Sequence, residues 1–472
     1  MQQSTEAPAC EIRRAYFDGI RVTGKHKMIF FIIMVAYFFE QMDNWNFAFV
    51  APAMFKTWGL TAEAIPTAMS VILFWYFIGM TLGGFLGGVI SDLIGRRKTF
   101  LYSIVLFSAG SIITGLPLDN LLIFTVARSL TGFGVFCMMV CSQTYIAEMS
   151  PCETRGKWQG LIAAIGFLAV PVIAFLCRLI IPLSPEAWRW IFYFGGAGLL
   201  AFMAGLAYLK ESPRWLVSRG KVQEAEAIVL DITGVRVDLS EAAKNVPPKQ
   251  DVKAILTGMF TGKYIKRTAV ILFVFICVTP AAFLFNAWTP QLLTGIMVPD
   301  ASGNLVQLYD QKIMLTIMTI ISCGVPAGCF LASRIADMGG RKIPLVAVYA
   351  LGAVSSVIMA QVIDNVYAVM VFGFLISTFN MAGGFIVFSY TAESYPTHMR
   401  NTAVGFLNGL ARLSVSAFQR VVPFLFAAFS TSSAFSNINV IFYTSAILLA
   451  APLVFVLLFG ERTGGKSLEE IN

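Results

Sequence analysis

Two acidic residues, Glu40 and Asp43, lie well inside a long apolar run of this sequence. If that run crosses a bilayer, each charge at its centre costs about 2.5–3.5 kcal/mol on insertion scales and requires a compensating role. Both histidines, His26 and His398, lie in polar segments outside the apolar runs. Glu40 and Asp43 are therefore the candidate proton carriers, and their spacing predicts neighbouring positions on one helix face.

A positive charge, Arg412, lies in another apolar run near the C-terminus. Glu40 and Arg412 lie about 18 Å and about 17 Å into their predicted helices, near the middle of a core about 30 Å thick. Because guanidinium pairs well with carboxylate, we predict that Arg412 binds an anionic or polar group of a ligand. Protonation of Glu40 or Asp43 would weaken an acid–Arg412 pair and free the arginine. The alternative is a static buried ion pair that only stabilises packing.

Polar side chains in the apolar runs predict the rest of the site. Asn408, Arg412 and Gln419 fall within about 40° of one another at 100° per residue, so they form a stripe that faces a cavity or another helix. Six further residues could grip a small, partly apolar ligand, although helix packing explains each of them alone. They are Tyr37, Trp75, Tyr76, Asn286, Trp288 and Asn380.

Composition identifies the elements that must position these groups. The 472-residue chain is 57% hydrophobic and 13% charged, which leaves too few polar groups for a water-facing surface. In lipid, runs this long must satisfy their own backbone groups, which favours helices over strands. We predict an all-α integral membrane protein with twelve transmembrane helices, at 28–53, 67–90, 99–117, 121–146, 157–182, 188–209, 268–293, 311–333, 343–363, 366–391, 401–427 and 437–459.

The net charge of +8 follows this topology. With the N-terminus placed inside the cell, the inside segments hold 27 of the 34 Lys and Arg residues. That asymmetry is the positive-inside rule, and it predicts that both termini are cytoplasmic. We therefore expect the lipid bilayer, and no nucleic acid, as the partner of this basic chain.

The chain repeats itself at a shift of 245 residues. The repeated motifs are Asp92-Leu-Ile-Gly95-Arg96 with Asp337-Met-Gly-Gly340-Arg341, and Tyr145-x-x-Glu148 through Arg155 with Tyr390-x-x-Glu393 through Arg400. We predict two six-helix bundles, 28–209 and 268–459, joined by a cytoplasmic linker with short helices at 210–267. Cytoplasmic segments 1–27 and 460–472 flank them. Parallel repeats of this kind place a ligand path between the halves, near the bilayer midplane.

The charged residues of these motifs predict a latch at the cytoplasmic ends. Asp92 can pair with Arg96 or Arg155, and Glu148 can pair with Arg155. The second half repeats the set as Asp337, Arg341, Glu393 and Arg400. Such pairs would hold the cytoplasmic ends together when the outside is open, and rocking of the halves would break them. The alternative is that the basic residues only set the topology.

These motifs resemble the signatures of the major facilitator superfamily over nearly the whole chain. The loop from Asp92 to Lys98 is similar to the loop between its second and third helices, and Arg128-x-x-x-Gly132-x-Gly134 resembles its fourth-helix motif. The resemblance implies a monomeric secondary transporter of the cell inner membrane that is not an enzyme. It would bind a small-molecule substrate and protons, hold no cofactor or metal, and draw on the proton gradient.

The resemblance also implies roles for individual residues. In this superfamily the first and eleventh helices approach a central cavity, so Glu40 and Asp43 could face Arg412. Arg128 would act in coupling, and its alternative is to snorkel to the outer interface.

Several functions fit this resemblance. Glu40-Gln-Met-Asp43 and Trp288-Thr-Pro290 resemble the metabolite:proton symporters, which favours proton-coupled uptake (symport) of a small organic metabolite, a carboxylate, by alternating access. The alternatives are a sugar or polyol porter, a proton-antiport exporter and a nutrient sensor that does not transport. Asn286 lacks the paired Gln of sugar porters, and Val170 before Pro171 breaks the fifth-helix motif of antiporters.

Overall fold

The computed structural model describes residues 16–244, 252–262, 264–299, 302, 304–336, 338, 340–429 and 436–460. Its helices are α1 (Gly24–Thr57), α2 (Ala64–Ile94), α3 (Arg96–Gly115), α4 (Leu121–Met149), α5 (Arg155–Ile180), α6 (Trp188–Gly196), α7 (Gly198–Tyr208), α8 (Pro213–Ser218), α9 (Val222–Thr233), α10 (Ser240–Lys244), α11 (Val252–Met259), α12 (Tyr264–Thr294), α13 (Gln311–Ile335), α14 (Lys342–Gln361), α15 (Val366–Glu393), α16 (Thr397–Phe429) and α17 (Ser436–Phe459). A short hairpin, β1 (Met297–Pro299) with β2 (Leu305–Gln307), follows α12.

The predicted all-α membrane class with twelve spans is confirmed. Among the described residues, eleven helical segments are long and apolar enough to cross a bilayer, with α6 and α7 forming one of them. The remaining span is α1, which has 34 residues. Its hydropathy is low because Glu40, Gln41, Asp43 and Asn46 interrupt the apolar run, and all four side chains are buried inside the protein. Lipid does not solvate such groups, so this face of α1 must point inward.

Glycines let the helices of each half approach closely, and they do so at repeat-related positions. In the first half, a Cβ on Gly79 or Gly83 of α2 would overlap the carbonyl oxygen of Ser129 or Phe133 of α4. In the second half, the corresponding seam joins α13 to α15, where Gly324 and Gly328 abut the carbonyl oxygens of Phe374 and Thr378. All four contacts recur at the shift of 245 residues seen in the motifs. Small residues at such a seam allow the backbones to pack together.

Three helix pairs form the most extensive contacts between the two halves. Ser416 of α16 donates a hydrogen bond to the carbonyl of Phe74 in α2 at 3.0 Å. Arg178 of α5 donates to the hydroxyl of Thr316 in α13 at 2.7 Å. In the third pair, α1 and α12, the rings of Trp45 and Phe283 stack with centroids 6.2 Å apart. These helices therefore enclose the space between the halves.

A charged cluster fixes α6 against the loop that joins α3 to α4. The guanidinium of Arg189 donates to the carboxylates of Asp119 at 2.6 Å and Glu186 at 2.5 Å, and to the carbonyl of Leu116 at 2.7 Å. Hydrogen bonding from Arg189 lowers the pKa of Asp119, which lies in the loop before α4. The same helix brings Gly195 so close to Asp43 that a Cβ there would lie 2.7 Å from the carboxylate oxygen. Because Gly195 has no side chain, it leaves room for the Asp43 carboxylate.

Candidate functional site

Asp43 forms a buried ion pair within the first half. Arg128 of α4 donates from Nη1 to Asp43 Oδ2 at 3.1 Å and from Nη2 to the backbone carbonyl of Asp43 at 3.2 Å. The side chains are 1% exposed for Arg128 and 0% for Asp43. Asn46 donates to Asp43 Oδ1 at 2.9 Å, and the Ser111 hydroxyl of α3 donates to the same oxygen. The charge of Asp43 is therefore compensated by contacts from α1, α3 and α4.

This geometry corrects two sequence-based expectations. The prediction that both acids face Arg412 is wrong for Asp43, because Arg128 supplies a closer guanidinium from within the same bundle. The alternative that Arg128 snorkels to the outer interface is also wrong, because its side chain is enclosed. Three residues on a helix correspond to a rotation of about 60°, so Glu40 and Asp43 can meet different neighbours.

Glu40 is buried on α1, but it forms no ion pair within the described part of the chain. Its carboxylate accepts a hydrogen bond from Gln41 Nε2 at 3.0 Å, and its side chain is 1% exposed. It interacts electrostatically with Arg412 across the space between the halves, beyond ion-pair distance. Of the two acids, Glu40 is therefore the one whose charge interacts with that of Arg412.

Arg412 lies between two aromatic rings that come from opposite halves. Its Cζ is 5.0 Å from the ring centroid of Phe136 in α4 and 4.8 Å from that of Phe283 in α12. Its Nε and Nη1 atoms are buried and have no hydrogen-bond partner among the described residues. Cation–π contacts stabilise and orient the guanidinium, yet they leave its in-plane donors available. This arrangement suits a ligand that offers hydrogen-bond acceptors in that plane.

The polar stripe of α16 contributes a second donor. Trp288 of α12 donates from Nε1 to Gln419 Oε1 at 2.7 Å, which fixes the orientation of the amide. Gln419 Nε2 is then a buried donor with no partner in the described structure. It lies seven residues beyond Arg412, about 10.5 Å along the same helix. Asn408, by contrast, bonds to the carbonyl of Val404 in its own helix at 3.2 Å, within a turn of Arg412.

A cavity of about 30 Å³ lies next to the ion pair and between the halves. Its walls include Asn44, Tyr76, Arg128, Phe283 and Asn286. The Tyr76 hydroxyl donates to Asn44 Oδ1 at 2.7 Å, and the Arg128 guanidinium lies 4.8 Å from the Tyr76 ring centroid. The predicted residues Tyr76, Asn286 and Arg128 are therefore brought together, in a space large enough for one or two water molecules.

Two other residues predicted to contact the ligand are Tyr37 and Asn380. The Tyr37 ring packs against Gly166, where a Cβ would overlap it, and against the ring of Phe167 at 6.3 Å. Asn380 Nδ2 on α15 is buried with no partner among the described residues. No hydrogen bond joins either side chain to Arg412 in the described part of the chain.

The charged motifs form one ion-pair network in each half. In the first, Arg96 bonds to Asp92 at 2.7 Å and to Glu148 at 3.2 Å. In the second, Arg341 bonds to Glu393 at 2.7 Å. The predicted pairing of Glu148 with Arg155 is wrong, because Arg96 occupies that carboxylate. Asp337 lies outside the described residues.

These networks tie helices of the same half. Arg96 begins α3 and reaches α4, and Arg341 precedes α14 and reaches α15. In this conformation the described pairs do not bridge the two halves, so the latch, which applies when the outside is open, stays a prediction. The Nε atoms of Arg155 and Arg400 are buried without a described hydrogen-bond partner, as is Nη2 of Arg400.

We expect Glu148→Gln to slow substrate exchange about five- to tenfold, corresponding to about 1–1.4 kcal/mol, because it removes one charge from a partly buried pair. Asp92→Asn is the matched control: the Asp92 side chain is 73% exposed against 15% for Glu148, and exposed pairs contribute little. Exchange rates in proteoliposomes test this, with substrate affinity measured in parallel. A larger effect for Asp92→Asn than for Glu148→Gln would contradict the assignment of the larger contribution to the partly buried Arg96–Glu148 pair.

The twelve-helix fold with two repeated halves and charged residues buried between them defines a class of membrane transporters. A sequence model described as the Major Facilitator Superfamily matches residues 33–419, and the chain belongs to that family. The protein is therefore a multi-pass membrane transporter for a small molecule, not an enzyme.

The chain is similar to several known transporters. The chain is 29% identical over 427 residues to the inner membrane metabolite transport protein YdjE of Escherichia coli, covering 85% of each chain. It is 26% identical over 449 residues to the niacin transporter NiaP of Acinetobacter baylyi, covering 94% of this chain and 96% of the relative. Its fold matches a partially occluded inward-open structure of the E. coli xylose transporter XylE, with a TM-score of 0.72, 18% identity, and coverage of 94% of this chain and 100% of that one.

Sequence analysis missed the aromatic residues that complete the site. Trp45 was not singled out, and neither were Phe136 and Phe283, because the chain contains 41 phenylalanines and most of them pack or face lipid. Their positions in the sequence could have identified them. Each of the three residues lies at a membrane depth similar to that of a predicted polar residue on a neighbouring span. Asn44, adjacent to Asp43, carried a clearer signal as a polar amide within the span of α1.

Proposed function

We propose that this protein is a proton-coupled symporter that takes up a small carboxylate by alternating access. The observation that supports this most strongly is Arg412, a guanidinium with two buried, unpartnered N–H groups between the halves. We further propose that the face where α1 begins is cytoplasmic, together with the linker helices α8 to α11. The excess of Lys and Arg in those segments supports that orientation.

A carboxylate fits the donors of the site. Arg412 offers two N–H groups in one plane, and Gln419 offers a third donor farther along α16. No carboxylate of the described residues lies within ion-pair distance of Arg412, so an anionic ligand would supply the missing negative charge. The rings of Phe136 and Phe283 extend an apolar surface beside it, which suits an aromatic acid. The relative NiaP is named for niacin, a pyridine carboxylate, and supports this class of substrate.

The Asp43–Arg128 pair is the proposed proton site. Removing one charge of a buried pair costs about 3–5 kcal/mol, because the other charge is left uncompensated. Protonation of Asp43 therefore carries enough free energy to shift the balance between two conformations of the first half. The adjoining cavity beside Arg128 provides a route by which a water molecule could deliver the proton.

Closure of one side of the protein supports alternating access. Trp45 lies about 32 Å from the start of α1, and Phe283 about 28 Å from the start of α12, at 1.5 Å per residue. Their stacked rings, with the Phe77 ring centroid 4.8 Å from that of Phe283, close the gap between the halves toward the face opposite the start of α1. Rocking of the halves would open this contact and expose Asp43 and Arg412 to that side.

Thermal stabilisation of the purified protein tests the substrate class. We expect nicotinate and benzoate to raise the melting temperature, because a ligand at 100 times its Kd stabilises the native state by about 2.7 kcal/mol. Nicotinamide is the matched neutral control, since it keeps the ring and lacks the negative charge. Stabilisation by xylose or arabinose, with none by the carboxylates, would contradict this proposal and favour a sugar porter.

A further inference from the structure

One side chain, Phe283, contacts Arg412 and also lines the cavity beside Arg128. On one side its ring lies 4.8 Å from Cζ of Arg412. On the other side it forms part of the wall of the cavity that adjoins Arg128. It belongs to α12 in the second half, whereas Asp43 and Arg128 belong to the first half. Phe283 is therefore placed to connect the occupancy of one site to access at the other.

The contact with Arg412 depends on the charge of the arginine. A guanidinium attracts an aromatic face electrostatically, most strongly when water is excluded. A ligand carboxylate paired with Arg412 offsets the positive charge of the guanidinium. It therefore weakens the attraction between the guanidinium and the Phe283 ring. Phe136 on α4 flanks the same guanidinium at 5.0 Å, so the arginine stays oriented when Phe283 moves.

The contacts with the first half give that movement a consequence. Phe283 packs edge-on against Phe77, with centroids 4.8 Å apart, and is stacked on Trp45. Both of these residues also line the cavity beside Arg128. A shift of the Phe283 ring therefore changes the shape of the cavity that adjoins Arg128, the partner of Asp43.

We propose that Phe283 is the positioning residue that couples the two sites. With Arg412 empty, the cation–π contact holds the ring against the cavity and restricts proton exchange at Asp43. A carboxylate bound to Arg412 releases the ring and opens that exchange. This inference rests on the proposed symport function and adds the element that makes proton movement conditional on substrate.

The test compares Phe283→Leu, Phe283→Tyr and Phe285→Leu in proteoliposomes, with nicotinate as the probe. Phe285 is the matched control, because it lies two residues along α12 and packs within the second half against Phe442, with centroids 6.0 Å apart. For Phe283→Leu we expect proton-driven accumulation to fall about tenfold and counterflow only about twofold, the order expected for loss of a desolvated cation–π contact. Proton leak without substrate should rise in the same variant. Phe283→Tyr keeps the ring and should restore coupling, and Phe285→Leu should match the wild type.

Three results would overturn the role of Phe283 alone. They are wild-type accumulation by Phe283→Leu, an equal loss of accumulation and counterflow in that variant, and failure of Phe283→Tyr to restore coupling. A different result would overturn the proposed function itself and this inference with it: a wild-type protein that exchanges nicotinate but never accumulates it on a proton gradient.

Discussion

Substitution of Arg412 by glutamine is expected to lower nicotinate uptake by at least about 100-fold. Truncating one partner of a buried, hydrogen-bonded charge pair costs about 2–5 kcal/mol, and about 2.7 kcal/mol corresponds to 100-fold. Arg412→Lys keeps the charge but loses the planar set of donors and the close fit between Phe136 and Phe283. We expect it to retain about a tenth of wild-type uptake, because lysine binds a carboxylate as a point charge.

The control for this prediction lies on the same helix. Arg420 of α16 is exposed, and its Cζ lies 4.8 Å from the ring centroid of Phe74 in α2. Arg420→Gln removes the same charge eight residues farther along and is expected to reduce uptake by no more than about twofold. Initial rates of radiolabelled nicotinate uptake, normalised to protein in the membrane, measure both variants. Equal losses in Arg412→Gln and Arg420→Gln would show that charge on α16, rather than ligand contact, is what matters.

Substitution of Asp43 by asparagine is expected to abolish accumulation against a gradient while substrate exchange persists. Asparagine keeps the shape and one acceptor oxygen, which serves either Ser111 or Arg128 because these two residues bond to different oxygens of Asp43, but it cannot take up or release a proton. Accumulation driven by an imposed pH gradient should fall by at least about 100-fold, the consequence of losing the coupling step. Counterflow needs no net proton movement, so it should continue at a reduced rate.

Glu40→Gln separates the two acids of α1. Because Glu40 pairs with no arginine in the described structure and interacts with Arg412 at longer range, we expect this variant to change substrate affinity and to keep accumulation. Uptake with and without a proton gradient distinguishes the two effects. If Glu40→Gln lost accumulation and Asp43→Asn kept it, the proton site would have to be moved to Glu40. Unchanged accumulation in both variants would end the proposal of proton coupling through α1.

The architecture was predictable from the sequence because lipid imposes simple constraints. Buried polar groups in α1 and the excess of basic residues on one side follow from the high cost of charge in a bilayer. The repeat was visible in the charged motifs, and the glycine contacts at Gly79 and Gly324 show the same shift in three dimensions. Arg412 was identified as a ligand-binding candidate because a lone guanidinium at mid-membrane depth needs an anion.

The pairing of charges was not predictable, because it depends on which neighbour each helix face meets. Asp43 pairs with Arg128, and Gly195 leaves room for the carboxylate there, whereas Glu40 accepts a hydrogen bond from Gln41 and pairs with no arginine among the described residues. Arg96 pairs with Glu148 because Arg96 is the first residue of α3, which begins beside the end of α4. Spacing along the chain does not reveal that proximity. The two rings that flank Arg412, Phe136 and Phe283, come from α4 and α12. No sequence pattern indicates that these two helices lie close together.

Substrate-induced proton movement tests the central claim most directly. Proteoliposomes containing the wild-type protein, with no imposed gradient, are mixed with nicotinate while the external pH is followed. We predict alkalinisation outside as substrate enters, absent in Arg412→Gln, in Asp43→Asn and with nicotinamide. Entry of nicotinate at the wild-type rate with no change in external pH would contradict coupling between the Arg412 site and the Asp43–Arg128 pair.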